Sequence, residues 1–148
     1  MATEMKHFLS AVALLLAGSS GAIAGELSDA AVGQILGVSG VTHAPSKMLA
    51  LDLEYKDQAG RRMFTLRFSE PTIYDAWKSG SKRSEPLSGL GADAFSEPTL
   101  KRVCAKTATT AACANALFPS SETKPTQEQL VKIVRAALCG VGAPRGDA

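Results

Sequence analysis

The chain has 148 residues, of which 45% are hydrophobic and 20% charged, and its formal net charge is +2. This length suits one domain and this composition is typical of a globular protein, which excludes a disordered tail or a collagen-like fibre. A net charge so close to zero gives no reason to expect a nucleic-acid partner. The 5% aromatic content is also low for a surface that stacks bases.

Residues 1–24 predict a secretory signal peptide. A polar start holding Lys6 precedes an apolar run over 8–17, which is shorter than the roughly 20 residues that a membrane-spanning helix needs. Ala22 and Ala24 are small residues at the two positions that a signal peptidase reads. We therefore expect cleavage between Ala24 and Gly25; the alternatives are a buried N-terminal helix and a membrane anchor.

Cleavage would make the mature protein periplasmic or secreted. No cysteine stands at the predicted junction, so we expect no lipid and no stable membrane anchor after cleavage. No repeat or long linker divides the remainder, which predicts a single domain over 25–140 and a flexible tail over 141–148.

The first half of the mature chain predicts a helix, a β-hairpin and a second helix. Ser28 is a good N-cap for a helix over 27–37, which Gly37 can end. Apolar and polar residues alternate over 48–56 and 61–68 around a turn at 57–60. This alternation places the following residues inward: Leu49, Leu51, Leu53, Tyr55, Phe64, Leu66 and Phe68. Met63 falls on the outward side.

Pro71 suits the start of a helix over 71–79, with Ile73 and Trp77 facing the sheet and Tyr74 beside them. A strand is expected near Ala94, and the segments 100–107 and 110–118 predict a second hairpin. The last helix covers 126–138, where Thr126 and Gln129 form a capping-box pair before an apolar stripe of Leu130, Ile133, Val134, Ala137 and Leu138. The expected fold is α+β, an antiparallel sheet of about four to five strands with helices packed on one face.

Three cysteines lie in the mature part, and an exported protein can form disulfides. If the second hairpin turns at Ala108 and Thr109, Cys104 lies directly opposite Cys113, close enough to bridge, while Cys139 stays free or joins two chains. Other pairings and three free thiols remain alternatives, because sequence alone does not fix connectivity. The cysteine spacing matches no zinc signature.

The motifs P-L-S-G-L-G-A-D-A-F at 86–95 and E-Q-L-V-K-I-V-R-A-A-L at 128–138 carry a resemblance. With the preceding helix, hairpin and Y-D-A-W helix, they resemble a family of small exported bacterial α+β domains of unknown function. Many of its members are lipoproteins with a GLGDxAF segment. This chain lacks the lipoprotein cysteine, and the family brings no catalytic residues to carry over.

Several residues and short motifs have a possible functional role, but for each of them we expect a structural or surface role. The glycine segment 89–94 lacks the third glycine of a dinucleotide loop and predicts a structural turn. We expect His43 in an exposed loop, Asp52 and Glu54 on a solvated face, and Tyr74 and Trp77 in the core. The basic pairs Arg61–Arg62, Lys82–Arg83 and Lys101–Arg102 would form an anion patch only if they converge. The R-G-D letters at 145–147 recur by chance.

No motif for a catalytic site, a cofactor or a metal is present in the sequence. We therefore expect an exported, non-enzymatic domain that binds an unknown protein or small-molecule ligand through its sheet face or loops. The alternative is a small secreted enzyme whose site the sequence does not reveal. A deep pocket with His43 or a carboxylate pair would favour the enzyme, and an apolar surface patch would favour binding.

The signal peptide is tested by the mass of the mature protein. Intact-mass measurement on the envelope or culture fraction of producing cells should find a chain that begins at Gly25. An uncleaved chain in the cytosol would contradict both the cleavage and the export.

Overall fold

The structure is a computed structural model that describes residues 27–49 and 51–140. The predicted signal peptide, the Ala24–Gly25 junction and the predicted tail at 141–148 lie outside these residues. The elements follow in this order: α1 (Asp29–Leu36), β1 (Thr42–Pro45), β2 (Asp52–Lys56), β3 (Arg62–Ser69), α2 (Pro71–Gly80), β4 (Glu85–Pro86), β5 (Asp93–Glu97), a 3-10 turn (Pro98–Leu100), β6 (Arg102–Lys106), β7 (Ala111–Asn115) and α3 (Gln127–Gly140).

All the strands join one antiparallel sheet in the order β1-β2-β3-β7-β6-β5-β4. The fold class α+β is confirmed, but the sheet has seven strands, so the predicted four to five is wrong. The two edge strands are the shortest, and each ends in a proline, Pro45 or Pro86. Proline is tolerated in an edge strand because it has no backbone N–H to donate to a neighbouring strand. Strands of two and four residues are also too short for an alternating pattern to predict them, which explains the wrong strand count.

The first helix forms as its caps predict. The hydroxyl of Ser28 accepts a hydrogen bond from the backbone N–H of Ala31 at 3.2 Å. Gly37 ends α1 in the left-handed conformation, with a φ of 69°. Val32 and Leu36 are buried in the core cluster that α1 shares with α3 and the sheet, so the helix packs through the predicted face.

The first hairpin starts later than the alternation predicts. Leu49 and Leu51, expected to point inward, are exposed by 53% and 73%, because β2 begins only at Asp52. Met63, expected outward, is fully buried. The register shifts between Tyr55 and Lys56, so Met63 is an extra residue in β3, and such a bulge redirects a side chain.

Helices cover both faces of the sheet, so the prediction that they pack on one face is wrong. α1 and α3 bury one face, on which Val103 and Ala105 of β6 lie. α2 packs on the other face through Tyr74, over Phe95 and the two cysteines of β6 and β7. The three central residues of β6, Val103, Cys104 and Ala105, are all buried, so the middle of this strand is covered on both faces.

The second helix is rotated relative to its predicted orientation. Tyr74 is fully buried and Trp77 is half-buried, as expected for core residues. Ile73, which was expected to face the sheet, is 43% exposed. Tyr74 instead faces the sheet, and its ring centroid lies 5.5 Å from that of Phe95.

The predicted register of the second hairpin is confirmed. Cys104 pairs with Cys113 at a Cα–Cα distance of 4.1 Å, and the two form a disulfide. Cys139 is a free, exposed cysteine. Ala108 and Thr109 are a poor tight-turn pair, but the hydroxyl of Thr107 accepts hydrogen bonds from the backbone N–H groups of Thr109 and Thr110, which closes the loop.

The last helix has the predicted capping box. The side chain of Gln129 accepts from the Thr126 N–H at 2.9 Å, and the Thr126 hydroxyl accepts from the Gln129 N–H at 3.2 Å. The whole predicted apolar stripe of α3 is buried, and Ile133 has no exposed surface.

Replacing Ile133 with alanine tests the docking of α3. A fully buried isoleucine leaves a cavity when it is truncated, so Ile133→Ala should lower the free energy of unfolding by about 2–5 kcal/mol. The same substitution at the exposed Ile73 should change it by no more than about 0.5 kcal/mol. Denaturant titration of both variants measures the difference, and equal losses would contradict the assigned core.

Candidate functional site

The turn that precedes β2 presents three apolar side chains to solvent, those of Met48, Leu49 and Leu51. The Ser46 hydroxyl accepts hydrogen bonds from the N–H groups of Met48 and Leu49, both at 3.2 Å. Backbone bonds from Ser46 to Asp52 at 2.8 Å and from Asp52 to Leu49 at 2.9 Å close the turn. These hydrogen bonds hold the described residues Ser46, Met48 and Leu49 in place, although Met48 is 88% exposed.

Beside this turn a groove of about 370 Å³ runs over the face of the sheet that α2 leaves uncovered. Its floor is polar, because the register brings Glu54 of β2, Thr65 of β3 and Asn115 of β7 side by side. Met48 and Leu49 line one side of the groove, and Arg62 and Leu117 also line it. The groove therefore combines polar groups at the bottom with apolar groups at the rim.

The two carboxylates of β2 share this face, as their spacing predicts, but the face is not the solvated surface that we expected. Asp52 is only 7% exposed and forms an ion pair with Arg67. Glu54 accepts a hydrogen bond from the Ser46 hydroxyl at 3.2 Å, and the Lys56 ammonium lies 3.9 Å from its other oxygen. The turn at 46–49 covers these groups, and each carboxylate has a partner within the chain.

The segment after β7 forms a second part of the rim through Leu117, and Phe118 follows this residue in the chain. The Arg62 guanidinium donates to the backbone carbonyl of Phe118 at 2.8 Å. Phe118 is 81% exposed and has a φ of 51°, which is unusual for a residue other than glycine. The backbone carbonyl of Arg62 also accepts from the N–H groups of Ser120 and Ser121, both at 3.0 Å. These bonds hold an aromatic side chain in a strained, exposed position, a combination that is frequent at binding sites.

Asp57, in the turn between β2 and β3, secures the end of this segment. Its carboxylate accepts hydrogen bonds from the Ser121 hydroxyl and from the N–H groups of Ala59 and Arg61. The bond from Ser121 is the main reason that the pKa of Asp57 is lowered, with the backbone bond of Arg61 adding to it. The charged carboxylate therefore ties the segment to the first hairpin.

His43 is not in an exposed loop. It lies on β1, its side chain is 17% exposed, and its Nδ1 contacts the carboxylate of Asp29 at the start of α1. Its ring stacks on Tyr55 with 5.0 Å between centroids. Asp29 also lines an open depression of about 520 Å³ along α1, whose other lining residues include Gly33 and Gly37. The pair joins β1 to α1.

The three basic dipeptides do not form one anion patch. Arg62 binds the Phe118 carbonyl, and Arg102 pairs with Glu97 at 2.7 Å and lies over the Phe95 ring. Lys82 and Arg83 are exposed and precede β4 at the far edge of the sheet from the first hairpin. The three basic pairs therefore lie on different parts of the surface.

The glycine segment is a structural turn, as predicted. Gly89 and Gly91 have φ angles of 74° and 60°. A Cβ at Gly91 would lie 2.4 Å from the backbone carbonyl of Lys106, so a side chain does not fit there. The carbonyl of Gly89 accepts from Arg135 of α3 at 3.3 Å, which ties the turn to the last helix.

In the part of the chain that the structure describes, no group of three or more His, Cys, Asp or Glu side chains is placed to hold a metal ion. Within the same residues, no helix is long and apolar enough to cross a membrane. No protein family, curated protein or solved structure matches the chain. The resemblance to small exported domains stays a prediction.

The groove is the feature that sequence reasoning missed. The alternating pattern assigned Leu49 and Leu51 to a strand, which concealed the exposed turn. Pro45 and Ser46, both common turn residues, are the signal that could have placed a turn there. Phe118 followed by Pro119 marked a similar break after the second hairpin.

Replacing Phe118 with glycine tests whether its ring contributes to the stability of the fold or whether only its backbone conformation affects that stability. Glycine adopts a positive φ without strain, and the lost ring is mostly solvent-exposed. Phe118→Gly should therefore be as stable as the wild type or more stable by up to about 1 kcal/mol. Thermal unfolding measures this, and a loss of more than about 1 kcal/mol would show that the ring is part of the core.

Proposed function

We propose that the protein is an exported, non-enzymatic domain that binds a segment of another protein in the groove. The observation that carries the proposal is the exposure of Met48 and Leu49, which line the groove beside its polar floor, together with the exposure of Phe118, which follows the lining residue Leu117 in the chain. Aromatic and methionine side chains are enriched at protein interfaces, and the aromatic ones supply contact area at low entropic cost.

The polar floor favours a protein segment over a purely apolar ligand. A peptide backbone has one donor and one acceptor in nearly every residue, and these need partners when they leave water. Thr65, Asn115 and Glu54 offer hydroxyl, amide and carboxylate groups in one row across the strands. Apolar side chains of the segment would then contact Met48, Leu49 and Phe118. A small-molecule ligand with the same mixture of polar and apolar groups is the alternative occupant.

Export is part of this proposal. A disulfide such as Cys104–Cys113 is compatible with an oxidising, exported location, because disulfides persist outside reducing compartments. The pattern of residues 1–24 supports the same location.

A small secreted enzyme is the second candidate, and the His43–Asp29 contact is the observation that favours it. A carboxylate that holds an imidazole is a common part of acid–base sites. The packing of the His43 ring against Tyr55 supports a structural role instead. If the chain is an enzyme that uses this pair, His43→Gln should abolish its catalytic activity, whereas Phe118→Asp should leave that activity unchanged.

Site-specific photocrosslinking in producing cells tests the binding proposal. A photoreactive amino acid at Phe118 should give a discrete adduct with another envelope protein, identified by mass spectrometry. Adding Leu49→Asp on the opposite rim should remove this adduct, because a charge there disfavours apolar contact.

The control places the same photoreactive residue at Ile73, an exposed apolar position on α2. It should not give the same adduct. Equal adducts from both positions, or no adduct from Phe118 in any growth condition that yields the folded protein, would contradict the groove as a protein-binding site.

A further inference from the structure

The disulfide forms part of the surface on which α2 docks. The apolar cluster beneath α2 contains Tyr74 of the helix, Phe95 of β5, Ala111 of β7 and both cysteines. Cys104 has no exposed surface and Cys113 is 7% exposed. The cystine therefore contributes packing to α2 in addition to joining β6 and β7.

We propose that docking of α2 is coupled to the oxidation of Cys104 and Cys113, so that the docked helix belongs to the disulfide-bonded chain. Bonded sulfur atoms are about 2 Å apart, whereas two thiols must separate to van der Waals contact. Tyr74 and Phe95 belong to the same cluster as the cystine and have no exposed surface, so the sulfur atoms would separate into closely packed side chains. Reduction therefore overpacks the cluster, and the helix is the element that can move.

The ion pairs that attach α2 to the sheet lie at the surface. Lys78 and Asp93 form a half-exposed ion pair at 2.7 Å, and Asp75, which binds Lys106 at 2.8 Å, is 61% exposed. Exposed ion pairs contribute little to stability. The N-cap residue Glu70 makes no side-chain hydrogen bond to the helix. The bond from the Tyr74 hydroxyl to Asp93 at 2.9 Å is the best-placed polar contact, and it depends on Tyr74 staying docked.

A dithiol is the class of reductant that opens this disulfide. Its thiolate attacks the sulfur of Cys113, the more exposed of the two, and the Cys104 thiolate leaves and takes a proton from water. The second thiol of the reductant, as thiolate, then attacks its own sulfur in the mixed disulfide and releases Cys113. The dithiol is thereby oxidised to a cyclic disulfide, and the protein gains two electrons and two protons.

Trp77 reports on this change, because it is the single tryptophan of the chain and packs at the edge of the cluster. Titrating the purified protein with a dithiol redox buffer should shift the Trp77 emission maximum to longer wavelength as the helix undocks. The shift should follow the number of thiols that iodoacetamide labels. Far-UV circular dichroism should keep most of its amplitude, because the sheet, α1 and α3 have their own core.

Two variants assign the response to the right cysteines. Cys139→Ala should respond like the wild type, and Cys104→Ala with Cys113→Ala should show no response to the dithiol. Two outcomes would overturn the proposal. One is complete labelling of both cysteines with no change in Trp77 emission, and the other is loss of the whole circular dichroism signal together with the emission shift.

A reciprocal experiment uses no cysteine variant. If docking stabilises the disulfide, weakening the docking must make the disulfide easier to reduce. Tyr74→Phe keeps the ring but loses the hydrogen bond to Asp93, so the ratio of reduced to oxidised dithiol at half-reduction should fall roughly three- to tenfold. The control Ile73→Ala, on the exposed side of α2, should leave this ratio unchanged. An equal ratio for both variants would contradict the coupling.

Discussion

The pairing of β6 with β7 is the constraint on which the rest of the structure depends. Because Cys104 lies opposite Cys113, Val103 and Ala114 form the next pair and point to the other face of the sheet. A slip of one residue would exchange the two faces. The register therefore decides that α3 packs on small and β-branched side chains and that α2 packs on the cystine, which gives the three-layer arrangement.

The groove follows from the limited length of α2. This helix covers the half of its face formed by β5, β6 and β7, and the other half has polar side chains that need no apolar cover. Glu54, Thr65 and Asn115 continue in register into Arg102 and Glu97, so one polar row crosses five strands. At the α2 end this row is closed by the ion pair of Arg102 with Glu97. At the β2 end it is open, and Met48 and Leu117 line the groove there.

The sequence predicts the parts of the fold whose stabilising interactions are local. Ser28, Gly37 and the Thr126–Gln129 box mark helix ends because a cap acts within a few residues, and the facing cysteines follow from counting around a short loop. The predictions that are wrong concern packing between residues that are distant in the sequence. The bulge that buries Met63, the rotation that exposes Ile73 and the face on which α2 docks depend on neighbours distant in sequence. The sequence does not predict the site, because alternation cannot distinguish a strand from an apolar turn. Most hydrogen bonds of this turn involve Ser46.

The charges of the groove indicate which interactions dominate a complex there. Asp52 is buried and neutralised by Arg67, and removing either partner would leave an uncompensated buried charge. Arg67 is also the cross-strand neighbour of Cys113, so this ion pair separates the groove from the cystine beneath α2. Since the chain satisfies the charges of the floor internally, a segment bound there as proposed would gain little from charge attraction. Its affinity would come from apolar contact with Met48, Leu49 and Phe118, and its orientation from hydrogen bonds to the polar row.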